Sequence, residues 1–296
     1  MLFRTRGEKI FDWFNIVLLI LITIICLLPI WNVLCISFSG SAQVAANMVK
    51  LWPVNVTLSS YQYLMKQPQY FQAFLITIER TIGGTAISMI ISILTAYPLS
   101  KQPREFPQRT GLIWFFFITM LFSGGLIPLY ATVYALHMID TMWVLIIPSA
   151  LSVWSVVLLL NFIRTLPKEV NESAYIDGAG EWAILLRIII PLTKPVLATL
   201  TLFTAVYHWN SWFDGLVFLN TPSKIPLQTY LQSIVVQIDT TKLKNMSETD
   251  LRIYSQVSNL TFQSAQIFVA MVPILCFYPF LQKYFVKGIV MGSVKE

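Results

Sequence analysis

Two polar strings interrupt a chain that is 56% hydrophobic and 11% charged, and each suggests its own chemistry. The first holds Glu169, Glu172-Ser173-Ala174, Asp177-Gly178-Ala179-Gly180, Pro191 and Pro195. Glu169 and Glu172, three apart, give a short helix an acidic edge suited to a basic partner, and the small Ser173 and Ala174 let another surface come close. The second string is Tyr207-His208-Trp209-Asn210-Ser211-Trp212-Phe213-Asp214-Gly215. Its aromatic faces suit the C–H surfaces of a ligand, and its amide and carboxylate groups suit hydrogen-bonding hydroxyls. Trp209, Asn210, Trp212 and Asp214 are the candidates for a substrate pathway, although a belt of Trp and Tyr at a membrane interface has the same composition.

The elements that would position the first string can be read locally. Pro167 can open a helix, where its missing N–H costs nothing, and Lys168 to Ile176 continue it until Gly178 and Gly180 halt it. Val170, Ser173, Ala174 and Asp177 then share a face. Asp177 opposes the dipole of its own helix, so it either docks to a partner or caps a following helix that starts near Ala179 and ends at Pro191.

Composition decides the surroundings. With 296 residues and a mean hydropathy of +0.68, the chain cannot hide its apolar surface in one water-soluble core. About six segments approach the roughly 20 apolar residues that a helix needs to cross a bilayer: 14–36, 71–99, 112–136, 142–163, 196–219 and 265–284. The first has a basic front but is longer than a signal-peptide core and lacks a small-residue cleavage site, so it is expected to stay as a span. No internal repeat or separate soluble domain is visible, and the whole chain reads as one transmembrane domain, all-α in class.

Lys and Arg favour the cytoplasmic side of short loops. Six spans with an inner N-terminus put thirteen inside, namely Arg4, Arg6, Lys9, Lys101, Arg104, Arg109, Arg164, Lys168, Arg187, Lys194, Lys283, Lys287 and Lys295. Six fall outside: Lys50, Lys66, Lys224, Lys242, Lys244 and Arg252. Both termini are therefore expected in the cytoplasm. The net charge of +6 reads as topology and attraction to anionic headgroups, with no nucleic-acid partner.

Other polar residues receive plainer readings. Glu79 and Arg80 either pair with a neighbouring helix or mark the outer rim, the rim being favoured. Gly83-Gly84 and Ser88 suit a close helix contact, and Gly124-Gly125 before Pro128 would loosen a span. Cys26, Cys35 and Cys276 read as small hydrophobes of the spans. His137 and His208 have no ligand cluster near them in sequence, so no metal is expected. The chain has no Gly-x-x-x-x-Gly-Lys-Ser/Thr loop for a nucleotide, and no Gly-x-Ser-x-Gly or His-Glu-x-x-His string for a hydrolase.

The run Glu172-Ser173-Ala174-x-x-Asp177-Gly178-Ala179, followed by Pro191 and Pro195, resembles the EAA loop of permease subunits in bacterial ABC importers of the carbohydrate-uptake type, relatives of the inner subunits of the maltose transporter. Ser173 stands where that family often has Ala, and Leu185 where it often has Phe. The resemblance implies that Glu172, Ser173, Ala174, Asp177, Gly178 and Ala179 form a coupling helix seated in an ATP-binding subunit. Phe122-Ser-Gly-Gly-Leu-Ile-Pro-Leu-Tyr130 and the tail Tyr278-Pro-Phe-Leu-Gln-Lys-Tyr-Phe-Val-Lys-Gly288 resemble permeases for complex oligosaccharides, among them lipo-oligosaccharide, pectin-fragment and alginate importers.

The resemblance thus implies a non-enzymatic subunit of the bacterial inner membrane that moves oligosaccharide, acidic alginate- or pectin-derived sugars included, by alternating access. Its partners would be a second homologous permease, two ATP-binding subunits that carry ATP and Mg, and an extracytoplasmic binding protein. No cofactor is expected on this chain. An ion-gradient-driven sugar carrier is the alternative, disfavoured because the mid-span regions lack obvious carboxylates and no repeat is seen.

Overall fold

A computed structural model describes residues 6–236 and 259–293, with the side chains of the last helix described to residue 276. Arg4, Lys242, Lys244, Arg252 and Lys295 lie outside the described residues, and so do the side chains of Arg6, Lys168, Lys283 and Lys287 and of the tail from Tyr278. Among the described residues every regular element is helical. They are α1 (Arg6–Ser37), α2 (Ser41–Ala45), α3 (Ser59–Met65), α4 (Pro68–Ser100), α5 (Arg109–Leu121), α6 (Leu126–Ala135) and α7 (Val153–Arg164). Then follow α8 (Lys168–Ile176), α9 (Glu181–Ile184), α10 (Ile190–Leu192), α11 (Lys194–Asn210), α12 (Phe213–Phe218), α13 (Leu227–Val236) and α14 (Asn259–Ser293).

Three helices are long and apolar enough to cross a bilayer: Gly7–Ser37, Pro68–Ser100 and Asn259–Cys276. Three further segments reach that length only as bent pairs. These are Arg109–Leu121 with Leu126–Ala135 at 116°, Met142–Ser149 with Val153–Arg164 at 47°, and Glu181–Leu192 with Lys194–Asn210 at 80°.

Straight spans over 112–136, 142–163 and 196–219 are thus not what forms, and each break has a local cause. Gly125 sits at φ +82°, a left-handed conformation that L side chains avoid, and Pro128 cannot donate to the preceding turn. Pro148 lies among 3₁₀ turns, and Ser152 caps α7 by accepting from the Ser155 N–H at 3.3 Å. The expected fifth span stops at Asn210, because Ser211 is extended and Phe213 starts a new short helix. Before it, a π turn over Leu185–Ile189 precedes Pro191, which has no N–H with which to continue the α-helical ladder.

The described residues fall into two compact units, one within Met1–Pro68 and Ser233–Pro273, the other within Gln69–Gln232 and Ile274–Glu296. In the first, the end of α1 is tied to the loop beyond α2. Trp31 Nε1 donates to the Leu51 carbonyl at 2.6 Å and Asn32 Nδ2 to that of Lys50 at 2.9 Å, over a small core of Cys35, Val44 and Val49. The apolar stretch of α1 itself is 0% buried, as befits a helix left for lipid or another chain.

The second unit carries both polar strings. Its core gathers Ala96 and Tyr97 of α4, Leu159 and Ile163 of α7, Ala174 of α8, Ile184 of α9, Leu185 and Ile189 of the π turn, and Leu200 of α11. One contiguous cluster of this kind fixes α8 to the end of α4 by packing before any polar bond is counted.

Candidate functional site

The helix expected over Lys168 to Ile176 forms with those limits. It ends in a reciprocal turn: the Ala179 N–H donates to the Ala174 carbonyl at 2.9 Å and the Gly178 N–H to that of Tyr175 at 3.0 Å, with Gly178 at φ +77°. This is the Schellman arrangement, in which glycine takes the left-handed position.

Glu172, Ser173, Asp177 and Gly178 are exposed, whereas Ala174 is 6% exposed and Ala179 half-buried against the core. The six residues thus divide between two roles, with Ala174 holding the helix down and the acidic groups facing out. Asp177 is the residue that closes α8 and does not cap the next helix, which begins at Glu181 behind Gly180 with no side-chain cap bond. The capping alternative therefore fails, and the helix near Ala179 starts later than expected. Beside the acidic edge stand two exposed apolar groups, Ile176 at 86% and Trp182 at 66%.

Sequence reasoning missed a polar cluster directly behind this helix. Lys101, just past α4, forms an ion pair with Glu181 and donates to the Tyr175 hydroxyl at 2.7 Å. Glu181 accepts from the Tyr97 hydroxyl at 2.6 Å and from Tyr175 at 2.8 Å. The ammonium also lies 4.9 Å from the centre of the Tyr97 ring and 5.4 Å from that of Tyr175. Burial opposes the charge on Lys101, but the bonds to Glu181 and Tyr175 outweigh it and hold the lysine above its usual pKa range. The sequence alone offers Lys101 only a role in topology.

The cluster separates two grooves. One of about 350 Å³ is lined by Tyr97, Lys101, Phe106, Glu181 and Trp182, and one of about 360 Å³ by Lys101, Arg109, Arg164, Asn171 and Glu172 among others. Arg109 Nε and Arg164 Nη2 both donate to the Leu99 carbonyl, at 2.8 and 3.2 Å, placing two cations where the α4 dipole is negative.

The four pathway candidates of the second string do not share one exposed surface. Asn210 is exposed and Trp212 is 38% exposed. Trp209 is 6% exposed and packs edge-on against Phe74, ring centres 5.8 Å apart.

Asp214 is engaged by Arg80, by Ser211 Oγ at 3.0 Å and by the Gly215 N–H at 2.9 Å. Arg80 also donates to the Ser211 carbonyl at 3.1 Å and has no exposed surface, so the rim reading of Arg80 is overturned and the alternative, a partner on a neighbouring helix, holds. A cation in an apolar span needs such a partner. One turn on, the imidazole of His208 lies so close that a Cβ on Gly84 would sit 2.6 Å from it. The expected close approach at Gly83-Gly84 is met there.

A third staple joins two loops. Asp140, at φ +59°, accepts from Lys224 Nζ at 2.8 Å, Thr221 Oγ1 at 2.7 Å and the Thr221 and Asn220 N–H groups at 3.0 and 3.1 Å. The hydrogen bond from Lys224, followed by those from Thr221, holds its carboxyl well below the usual carboxylate range.

No family model matches the chain. It is similar to the polygalacturonan/rhamnogalacturonan transport system permease protein YtcP of Bacillus subtilis (strain 168), 36% identical over 288 residues that cover 97% of this chain and 99% of that protein. Protein LplC of the same organism is 37% identical over 292 residues, 99% of this chain and 97% of that protein. Among solved structures, a chain from a bacterial ABC transporter involved in the import of the acidic polysaccharide alginate matches with a TM-score of 0.86 and 31% identity. That match covers 96% of this chain and 100% of the other.

Proposed function

The chain belongs to the permease subunits of bacterial ABC sugar importers, and from that premise we propose that it forms half of the membrane channel of an oligosaccharide importer. In this reading the three long helices and three bent pairs are six spans of one transmembrane domain in the inner membrane, with both termini cytoplasmic. Helix α8 is the coupling helix. A second, homologous permease completes the channel, two ATP-binding subunits carry out hydrolysis, and an extracytoplasmic binding protein delivers the sugar.

The observation that carries the reading is α8 itself: an acidic helix closed by Gly178, anchored by Ala174 and presenting Glu172, Ser173 and Asp177 outward. Ile176 and Trp182 beside it add apolar area of the kind that anchors a docking surface. Closure of the ATP-binding partners would be passed through this helix and turn the two permeases from inward-open to outward-open.

The substrate we favour is an acidic oligosaccharide, of the class named for the pectin-related and alginate transporters similar to this chain. Of the four candidates, Asn210 and Trp212 are exposed enough to meet it, while Trp209 and Asp214 support them from within. An ion-gradient-driven carrier gains no support from these relatives.

The test is to purify the chain with its companions, reconstitute the complex in nanodiscs, and measure ATP hydrolysis with oligogalacturonate, oligoalginate and neutral arabino-oligosaccharide. Stimulation by an acidic probe and its loss in Glu172→Lys or Gly178→Trp, with membrane insertion retained, is the expected result. Unchanged uptake in those variants, or uptake that survives ATP depletion and collapses with the proton gradient, would overturn the reading.

A further inference from the structure

Helix α8 has nine residues, too short to hold itself as a helix in isolation, whereas α9 runs on through the π turn and α10 to Leu192. Among the described residues, Ala174 is the one α8 side chain in the buried core cluster, so packing fixes where the helix rests but resists rocking weakly. Both its ends are turns, at Thr165 to Pro167 and at Asp177 to Gly180. A helix mounted in this way transmits a push only if something fixes its direction.

Tyr175 and Glu181 lie on either side of the Gly178 turn, and the Tyr175 hydroxyl donates to Glu181 at 2.8 Å, which closes the hairpin on itself. Tyr97 and Lys101 then bind the same carboxylate from the end of α4. Three donors on one carboxylate, with two aromatic rings flanking the ammonium, constrain angle as well as distance. The α4 end is itself braced to α5 and α7 through Arg109 and Arg164 on the Leu99 carbonyl.

Resting on the reading of α8 as the docking helix, we propose that Lys101 and Glu181, with Tyr97 and Tyr175, are positioning residues. They make the α8–α9 hairpin and the C-terminal end of α4 move as one body, so that nucleotide-driven displacement of α8 reaches α4. From there α4, a continuous helix of 33 residues, runs back about 30 Å at about 1.5 Å per residue to Arg80 and its bond to Asp214 beyond α11. The coupling signal then enters α4 through a half-exposed polar joint and leaves it through a buried one.

The experiment uses K101E, E181K, the double swap K101E/E181K and the conservative K101R, each in the full complex purified with its companions. Two quantities are read: oligogalacturonate or oligoalginate taken up per ATP hydrolysed, whichever the wild type moves, and the distance distribution between spin labels at Gln102 and Ile176 in a cysteine-free background. Each single reversal is expected to lower uptake per ATP by about tenfold, within the usual range of coupling between sites, and to broaden the label distribution. K101R and the double swap are expected to recover both readouts, which a merely structural loss would not allow. Single reversals with an unchanged uptake ratio, or a double swap no better than its parents, overturn the clamp. A wild-type complex without ATP-driven uptake overturns the importer reading instead, and the label distances still judge whether the joint is rigid.

Discussion

Arg80 keeps no exposed surface and Asp214 keeps 21%, whereas the inner pair leaves Lys101 14% and Glu181 54% exposed. Both pairs join helix α4 to a segment far away in sequence, but only the second leaves a carboxylate largely open to solvent. The buried pair cannot separate without stranding a guanidinium in an apolar interior. The Lys101–Glu181 pair is half-open to solvent through its carboxylate and separates at less loss, since ion pairs open to solvent contribute about 0.2 to 1 kcal/mol. The difference teaches that charge type does not reveal function; solvation does. The Arg80–Asp214 joint resists opening, whereas the Lys101–Glu181 joint fixes direction with one partner open to solvent.

The sharpest way to break the contrast is to remove one partner of the buried pair. Asp214→Ala should destabilise the folded chain by about 3 kcal/mol, read as a lower thermal midpoint in detergent, and R80M/D214L should recover most of it. If the single change is silent, the joint is not the pin it is taken to be. Gly84→Ala, which drives a Cβ into the buried His208 ring, should cost about 1 to 3 kcal/mol by the same measurement.

Gly178→Ala forces a side chain into the left-handed region and should cost about 1 to 2 kcal/mol, shown by faster proteolysis after Tyr175. Lys101→Met, by contrast, should lower stability by less than about 1 kcal/mol, and 0.5 M salt should shrink that difference further while leaving the effect of Asp214→Ala unchanged.

Acidity sharpens the comparison last, because Asp140 offers an ion pair outside the spans. Its folded pKa is depressed, so its contribution is fully present above the unfolded value of about 3.9 and is lost as pH falls below that toward the folded value. Lys101 has the opposite sign: its raised pKa keeps the clamp intact below about 10.4 and loses it as pH climbs through the folded value. Asp140→Asn should flatten the acid limb of a stability–pH profile and Lys101→Met the alkaline limb.

Much of this could be read from the sequence where the cause is local. The limits of α8, the halt at Gly178 and the three continuous helices follow from Pro167, the glycines and long apolar runs. The broken segments were not legible from hydropathy, because averaging over some 20 residues hides four residues such as Phe122 to Gly125. Lys101 and Arg80 were misjudged for one reason. Their partners lie 80 and 134 positions away, and no window of sequence relates a lysine after one helix to a glutamate that opens another. Asp214 reads as available to a ligand because it stands among aromatic and amide groups, and only the fold brings Arg80 to it.

The corner at Gly125 has one more implication. Between Phe122 and Leu126 the peptide groups leave helical pairing, and hydrocarbon offers them nothing in return. In the six-span reading proposed above, that elbow must therefore look onto moisture or onto protein, and a cysteine introduced at Ser123 reports whether solvent reaches it.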